Sequence, residues 1–469
     1  MRTRIVRDTM GEMAVPENAL FGAQTMRAVE NFPISGLRMP TEVIHALGII
    51  KSAAASVNGD LGLLDKETAK AIIHAADEVS EGRHEKQFPV DVFQTGSGTS
   101  TNMNVNEVIA SRANMLLTRK PDEKEPVHPN DHVNLGQSSN DVFPSAMHIA
   151  VVEAIRRQLL PAVQLLIESL EKKAQQFDGI IKVGRTHLQD AVPIRVGQEF
   201  SGYAFQIGEN LQWIESAVKG LYPLALGGTA VGTGLNTHPE FAARTIALIR
   251  ERTGIPFQET QNHFAAQASQ DPLVRVSGAL RDLSVSLLKI ANDLRWLGSG
   301  PQGGLGELIL PAVQPGSSIM PGKVNPVIAE SMIMVCVQVM GLDSAVSTGG
   351  TWGAFELNTM LPLIVTDVLF MVKILGNATK IFTKKLVDGI EVRNDVLRRS
   401  AEYSLGLAVV LAPTIGYDAA ANIAKKASSE GKTVKQVTCE ENILDERSLD
   451  RLFSVEELTE PGIPHLGDR

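Results

Sequence analysis

Eight aliphatic residues, Leu273, Val276, Leu280, Leu283, Leu287, Ile290, Leu294 and Leu297, alternate spacings of three and four without a break. That rhythm returns each side chain to one face of a helix, so the stretch predicts a long helix with a bundle seam. Val274, Val285, Leu288 and Ala291 put apolar surface on its other sides. A helix apolar on several sides is buried against more than one neighbour, which predicts a place at the centre of the bundle.

Other segments point the same way. From Thr41, read as an N-cap, to about Gly82 there are two helical patterns, with Gly59, Gly62 and Asp65 marking the turn between them. Ser138 to Asp178 reads as about forty helical residues with one interior interruption at Pro161. Val327 to Leu342 is apolar nearly all round but broken by Glu330 and Gln338. At that length it falls short of the roughly 20 residues that cross a bilayer, and it reads as a core helix. Arg4 to Arg7 and Met13 to Pro16 read as a short opening hairpin. After Asp388 the chain becomes more charged and its elements shorten, with helical patterns at Asp418 to Ser429 and Ser448 to Leu452. The expected fold class is mainly all-α: a long central helical bundle at 138–388, with a mostly helical N-terminal domain at 1–137 and a small C-terminal domain at 389–469.

Composition removes several function classes. The chain has 469 residues, more than a typical single compact domain holds. Aromatic residues are only 5%, so the core must be aliphatic. The formal charge is −9 and no Lys/Arg-rich run occurs, which argues against a nucleic-acid partner. The first residues lack the apolar stretch of a signal peptide, so a cytoplasmic location with no membrane partner is expected. Cys336 and Cys439 are the two cysteines, too few for an iron–sulfur cluster and unsuited to a disulfide framework.

Four polar segments carry candidate chemistry. The first is the Gly-rich run Gly298 to Gly306, followed by Gly316 to Pro326, which leads into an apolar helix. Asn325 suits the N-cap and Pro326 the first turn, so Lys323 and free backbone N–H groups form a candidate anion site. It is not a nucleotide loop, because Val324 stands where a Ser or Thr would hold magnesium. The second is Thr95 to Asn102, ahead of a helix expected from Met103 to about Leu117, with more hydroxyls than N-capping requires. The third is His128 to Asn134, leading into Gln137 to Asp141. His128 and His132 are four apart, but Pro129 argues against a helix there and no third ligand is near, so no metal is expected. The fourth is Gly184 to Asp190, with His187 on a loop. Helix N-termini and short hydroxyl side chains favour negative charge, so the four could together serve a small dianion.

GSSIMPGKVNP at Gly316 to Pro326 resembles the signature of the fumarase/aspartase superfamily. TGSGTSTNMN at Thr95 to Asn104, HPNDHVN at His128 to Asn134, QSSND at Gln137 to Asp141 and GRTHLQDA at Gly184 to Ala191 are similar to its other motifs, so that the resemblance runs from about Val6 to about Glu456. Within the superfamily, the HPND form and Gly227 to Gly234 look most like class II fumarases, with a departure at Leu135-Gly136. The resemblance implies reversible hydration of fumarate to L-malate through a carboxylate-stabilised carbanion, without metal or other cofactor. It makes His187, Ser317 and Glu330 catalytic, Glu330 being a buried partner of the histidine. Substrate binding falls to Ser97, Gly98, Thr99, Ser138, Ser139, Asn140, Thr186, Ser318, Lys323, Val324 and Asn325, and a secondary dicarboxylate site to His128, Pro129, Asn130 and Asp131. It further implies a homotetramer whose active sites combine several chains. In this reading Ser317 is the base, its alkoxide stabilised by loop amides and Lys323, and His187 is the acid, the alternative assignment exchanging emphasis between the two. The competing activities are an aspartate ammonia-lyase and a non-catalytic helical scaffold.

Overall fold

The structure is a computed structural model, and it describes residues 2–119 and 124–463. Among the described residues helix dominates, and strands are confined to short two-stranded pairs, as the periodicity predicts. The chain divides into two compact units, one of Met1–Pro161, Asn210–Ser284 and Val335–Asn377, the other of Ala162–Glu209, Val285–Met334 and Ala378–Arg469. Helices Leu160–Gln176, Val196–Lys219, Asp271–Leu297, Val327–Gly350 and Leu361–Lys385 contribute residues to both.

In the first unit, Thr3–Asp8 and Gly11–Pro16 pair antiparallel in the register Thr3 with Pro16 to Asp8 with Gly11. Helices Thr41–Asp60 and Lys66–Ser80 follow. Asp65 starts the second by accepting the N–H groups of Glu67 and Thr68. Thr41 does not cap the first: Pro40 occupies that position, and the Thr41 hydroxyl lies 3.4 Å from Glu42. The two helices approach closely at Gly48, where a Cβ would lie 2.7 Å from the Ser80 nitrogen. Val43, Leu47 and Ile50 are fully buried on Thr41–Asp60, each contributing about 2 kcal/mol of apolar burial. Helix Thr99–Thr118 begins four residues earlier than the sequence suggests, because the Asn102 N–H already donates to the Gly98 carbonyl.

The long stretch after Ser138 is interrupted, but not at Pro161 itself. Helix Ser139–Ala154 passes into a π-type turn at Ile155–Leu159 before Leu160–Gln176. Proline has no N–H and its ring crowds the carbonyl four residues back, so the irregularity falls in the turn before it. All eight seam residues of Asp271–Leu297 are buried.

In the second unit, strands Ile181–Thr186 and Gln189–Arg195 form an antiparallel hairpin with a register shift between Val183 and Arg185. Toward the C-terminus, helices Tyr417–Glu430, Val434–Glu440 and Glu446–Leu452 enclose a small aliphatic core that includes Leu411, Ala427, Val437 and Leu452. Thr433 and Gln436 form a capping box at the start of the middle helix.

One expectation about length needs correction. The apolar helix at Val327 continues to Gly350, 24 residues, so it is long enough to cross a bilayer, as is Leu361–Gly389. What argues for a protein neighbour is its polar content: Asp343 accepts the Ser277 hydroxyl at 2.6 Å and pairs with Arg281 at 3.0 Å.

Candidate active site

The first unit supplies a polar entrance around Ser138 to Asn140. Ser138 and Asp141 form a capping box that starts helix Ser139–Ala154. Asp141, fully buried, also accepts the N–H groups of Gly227 and Thr229 at 2.9 and 3.0 Å. The Asn140 amide donates to the Ala230 carbonyl at 2.8 Å. The segment from Gly227 is thereby fastened to the helix start. Burial pushes the Asp141 carboxyl up to about 6, against the pull of its three amide donors and of Lys51.

The segment Thr95 to Thr99 belongs to the same unit. The Ser97 and Thr99 hydroxyls hydrogen-bond each other at 2.7 Å, as Thr95 and Ser100 do at 2.8 Å, and none caps the helix. Gly98 takes a left-handed φ of 72° against Phe143, whose ring carbons would lie 2.4 Å from a Cβ. This is the close approach that the glycine allows.

His128 to His132 differs from expectation. Pro129–Val133 is a π-helical turn with proline at its first position, where a missing N–H costs nothing. The His128 Nδ1 accepts the N–H groups of Asn130 and Asp131, and the His132 Nδ1 accepts the N–H of His128. Both ring nitrogens thus serve the backbone. Among the described residues no three His, Cys, Asp or Glu side chains gather as metal ligands.

The second unit carries His187, Ser317, Lys323 and Glu330. His187 and Leu188 form the two-residue tip of the hairpin, both at positive φ, with Thr186 just before them and all three exposed. The base of the hairpin is held by charge: Lys182 pairs with Glu199 at 2.8 Å and Glu307 at 2.9 Å, and Arg185 pairs with Glu307 at 2.5 Å.

The loop at Gly316 is closed on itself. The Gly316 N–H donates to the Lys323 carbonyl at 2.8 Å, and the Asn325 amide donates to the Gly316 carbonyl at 2.7 Å. Inside this ring the Ser317 Oγ accepts the N–H groups of Ile319 and Met320 at 3.2 and 3.1 Å. Asn325 does not cap the following helix, because its oxygen takes the Lys323 ammonium at 2.8 Å. The Pro326 carbonyl instead accepts the first helical bond, from the Glu330 N–H. Lys323, Ser318 and Val324 are exposed. Glu330 is exposed as well, contrary to the expected buried carboxylate, and makes no bond to His187 within the chain. The first turn of its helix turns it outward, to a cavity of about 740 Å³ also lined by Arg295, Lys323, Asn325 and Arg393.

Several functional candidates escaped the sequence. Lys51 on helix Thr41–Asp60 is fully buried, and its ammonium donates to Asn134 at 2.8 Å and Gln137 at 3.0 Å. Burial pulls that ammonium down to about 7, with Asp141 opposing. Asn106 shares this network with Asn102 and Asn134, which the polar segments already contain, and Glu307 holds the separate ion cluster of the hairpin. The one available signal was a lysine set inside the apolar run from Val43 to Val57.

Residues 11–341 match the lyase family, and residues 407–460 match the fumarase C C-terminus. The chain is 53% identical to the class II fumarate hydratase of Thermosynechococcus vestitus over 97% of both chains. It is 52% identical to that of Nitrosomonas europaea, over 97% of this chain and 98% of the other. The solved class II fumarase of Schistosoma mansoni shares the fold with a TM-score of 0.93 and 40% identity, over 97% of this chain and 98% of that one. Fold and matches together define a helical lyase. More narrowly, the chain belongs to the class II fumarase family.

Proposed function

We propose that this chain is a hydro-lyase that adds water to fumarate to give L-malate and reverses the reaction, in the tricarboxylic acid cycle of the cytoplasm. The observation that carries the mechanism is the Ser317 oxygen, which accepts two backbone N–H groups inside a closed loop. A serine hydroxyl is a weak acid, and two fixed amide dipoles stabilise the alkoxide that a base requires. The amides are those of Ile319 and Met320. Lys323, bonded to Asn325, is kept for substrate.

In the direction of fumarate, Ser317 takes a proton from the carbon beside one carboxylate. The electron pair left behind is delocalised into that carboxylate and then forms the double bond as hydroxide leaves the neighbouring carbon. His187, at an exposed hairpin tip, supplies the leaving group's proton through water, and Glu330 orients the histidine. Lys323, Asn325, Ser318 and Val324 from one segment, Thr186 from the hairpin, Ser97, Gly98 and Thr99, and Ser138 to Asn140 hold the carboxylates. His128 to Asp131, beside Arg7 and Lys124, form a secondary dicarboxylate site.

His187 and Glu330 are both exposed and unbonded to each other in the single chain, which supports a site completed by other copies. The helix Val327–Gly350 exposes Met334 at 66% and Val337 at 57%. Contiguous apolar exposure on a long helix supports a homo-oligomer, which we take to be a tetramer. The regions 1–137, 138–388 and 389–469 are our division of the chain into N-terminal, central and C-terminal domains.

The test is ultraviolet absorbance of fumarate formed by purified, chelator-treated protein given malate, with aspartate in parallel. Fumarate from malate alone supports the reading. Formation from aspartate alone makes the chain an ammonia-lyase, and neither makes it a scaffold. Activity lost on chelation points to a metal-dependent hydratase.

A further inference from the structure

Lys51 and Asn58 lie seven residues apart on helix Thr41–Asp60 and so share a face. Both reach the same turn. The Lys51 ammonium donates to the side-chain oxygens of Asn134 and Gln137, and the Asn58 amide donates to the Leu135 carbonyl at 3.0 Å. The turn is also clipped on itself: the Asn134 amide donates to the Gln137 carbonyl, and the Gln137 N–H donates to the Asn134 carbonyl, both at 3.1 Å. The next three residues are Ser138, Ser139 and Asn140.

The Asn134 side-chain oxygen is the hub. Besides Lys51 it accepts the amides of Asn102 at 3.2 Å and Asn106 at 3.1 Å, and Asn102 donates onward to the Ser139 hydroxyl at 3.2 Å. A continuous hydrogen-bonded path therefore runs from Lys51 to Ser139, entirely within the first unit. The two acceptors of the ammonium are neutral amides, and among the described residues no carboxylate pairs with it. For the fold alone this arrangement is costly, since an apolar side chain of the same length fills the space without desolvating a cation.

We propose that Lys51 is a positioning residue for substrate: it fixes the Asn134–Gln137 turn so that Ser138, Ser139 and Asn140 are presented to a substrate carboxylate. This rests on the reading given under Proposed function. It assigns Lys51 to ground-state binding of the dicarboxylate and not to proton transfer.

The test uses the full-length Lys51→Met protein, with steady-state kinetics on malate and calorimetric binding of succinate, a dicarboxylate that cannot react. Circular dichroism and the oligomeric state verify folding. The expected result is a rise of about tenfold or more in KM for malate and in Kd for succinate, with kcat changed less than about threefold. Unchanged KM and Kd in a folded variant overturn the proposal, and so does a fall in kcat with KM unchanged. Should Lys51→Met fail to fold, Gln137→Leu removes one of the two acceptors; a KM and Kd raised by about threefold or more supports the proposal and unchanged values overturn it. If the wild-type protein does not turn over malate, the underlying reading fails first, and the succinate measurement still decides for or against Lys51.

Discussion

Lys182 and Glu307 form an ion pair of 2.9 Å whose side chains are only 3% and 1% exposed. Glu307 directly follows the Gly-rich run and Lys182 lies in the first strand of the hairpin that carries His187. With Arg185 added, one buried carboxylate holds two cations. Removing it takes the carboxylate from Arg185 and leaves Lys182 with Glu199 alone, in a poorly solvated place. Glu307→Ala is expected to cost about 3 to 5 kcal/mol, read from chemical denaturation. Its remaining folded fraction should lose kcat through misplacement of the hairpin tip.

Ser317→Ala tests the proposed base directly. The interaction it removes acts in the transition state, so kcat should fall about 100-fold or more while KM for malate changes little. A near-normal kcat removes Ser317 from that role.

Gly98→Ala tests whether the Thr95 to Thr99 turn depends on close packing. The added Cβ meets the Phe143 ring at 2.4 Å and sits at a φ of 72°. Overpacking and backbone strain together should cost about 2 to 4 kcal/mol, visible as a lower urea midpoint.

Glu78 supplies a pH dependence. Its carboxylate takes two bonds from Arg112 at 2.7 and 2.8 Å and one contact with His84 at 2.7 Å. The Arg112 guanidinium, followed by His84, holds the group down at about 2 against burial. The unfolded chain binds this proton more readily, near the ordinary value of 4.5. Its stabilisation is therefore complete above that value and is lost as pH falls toward 2. Thermal denaturation from pH 5 to pH 2 should show a shallower acid loss for Glu78→Gln than for the unaltered protein.

The bundle was legible because its signal repeats: eight seam residues each report the same face, and local noise cannot erase them. The polar segments were legible because their composition exceeds what capping needs. Lys51 was not legible, because its partner Asn134 is 83 residues away and nothing local marks the pairing. The π-helical turn at Pro129–Val133 is hard to read from sequence because proline, which breaks a helix in its interior, here occupies the first helical position. The exposure of Glu330 was missed because an apolar helix in a single chain need not be buried by that chain.

The tip that presents His187 has no slack, although the strands behind it already absorb one register shift. Two residues link Thr186 to Gln189, and both already occupy the narrow left-handed region that such a link demands. An extra residue in either strand would exchange inward and outward faces from that point on. Length at this spot is therefore a stricter inheritance than identity: His187 could be replaced by another side chain and leave the ribbon intact, whereas a one-residue insertion would aim the tip elsewhere with every side chain unchanged.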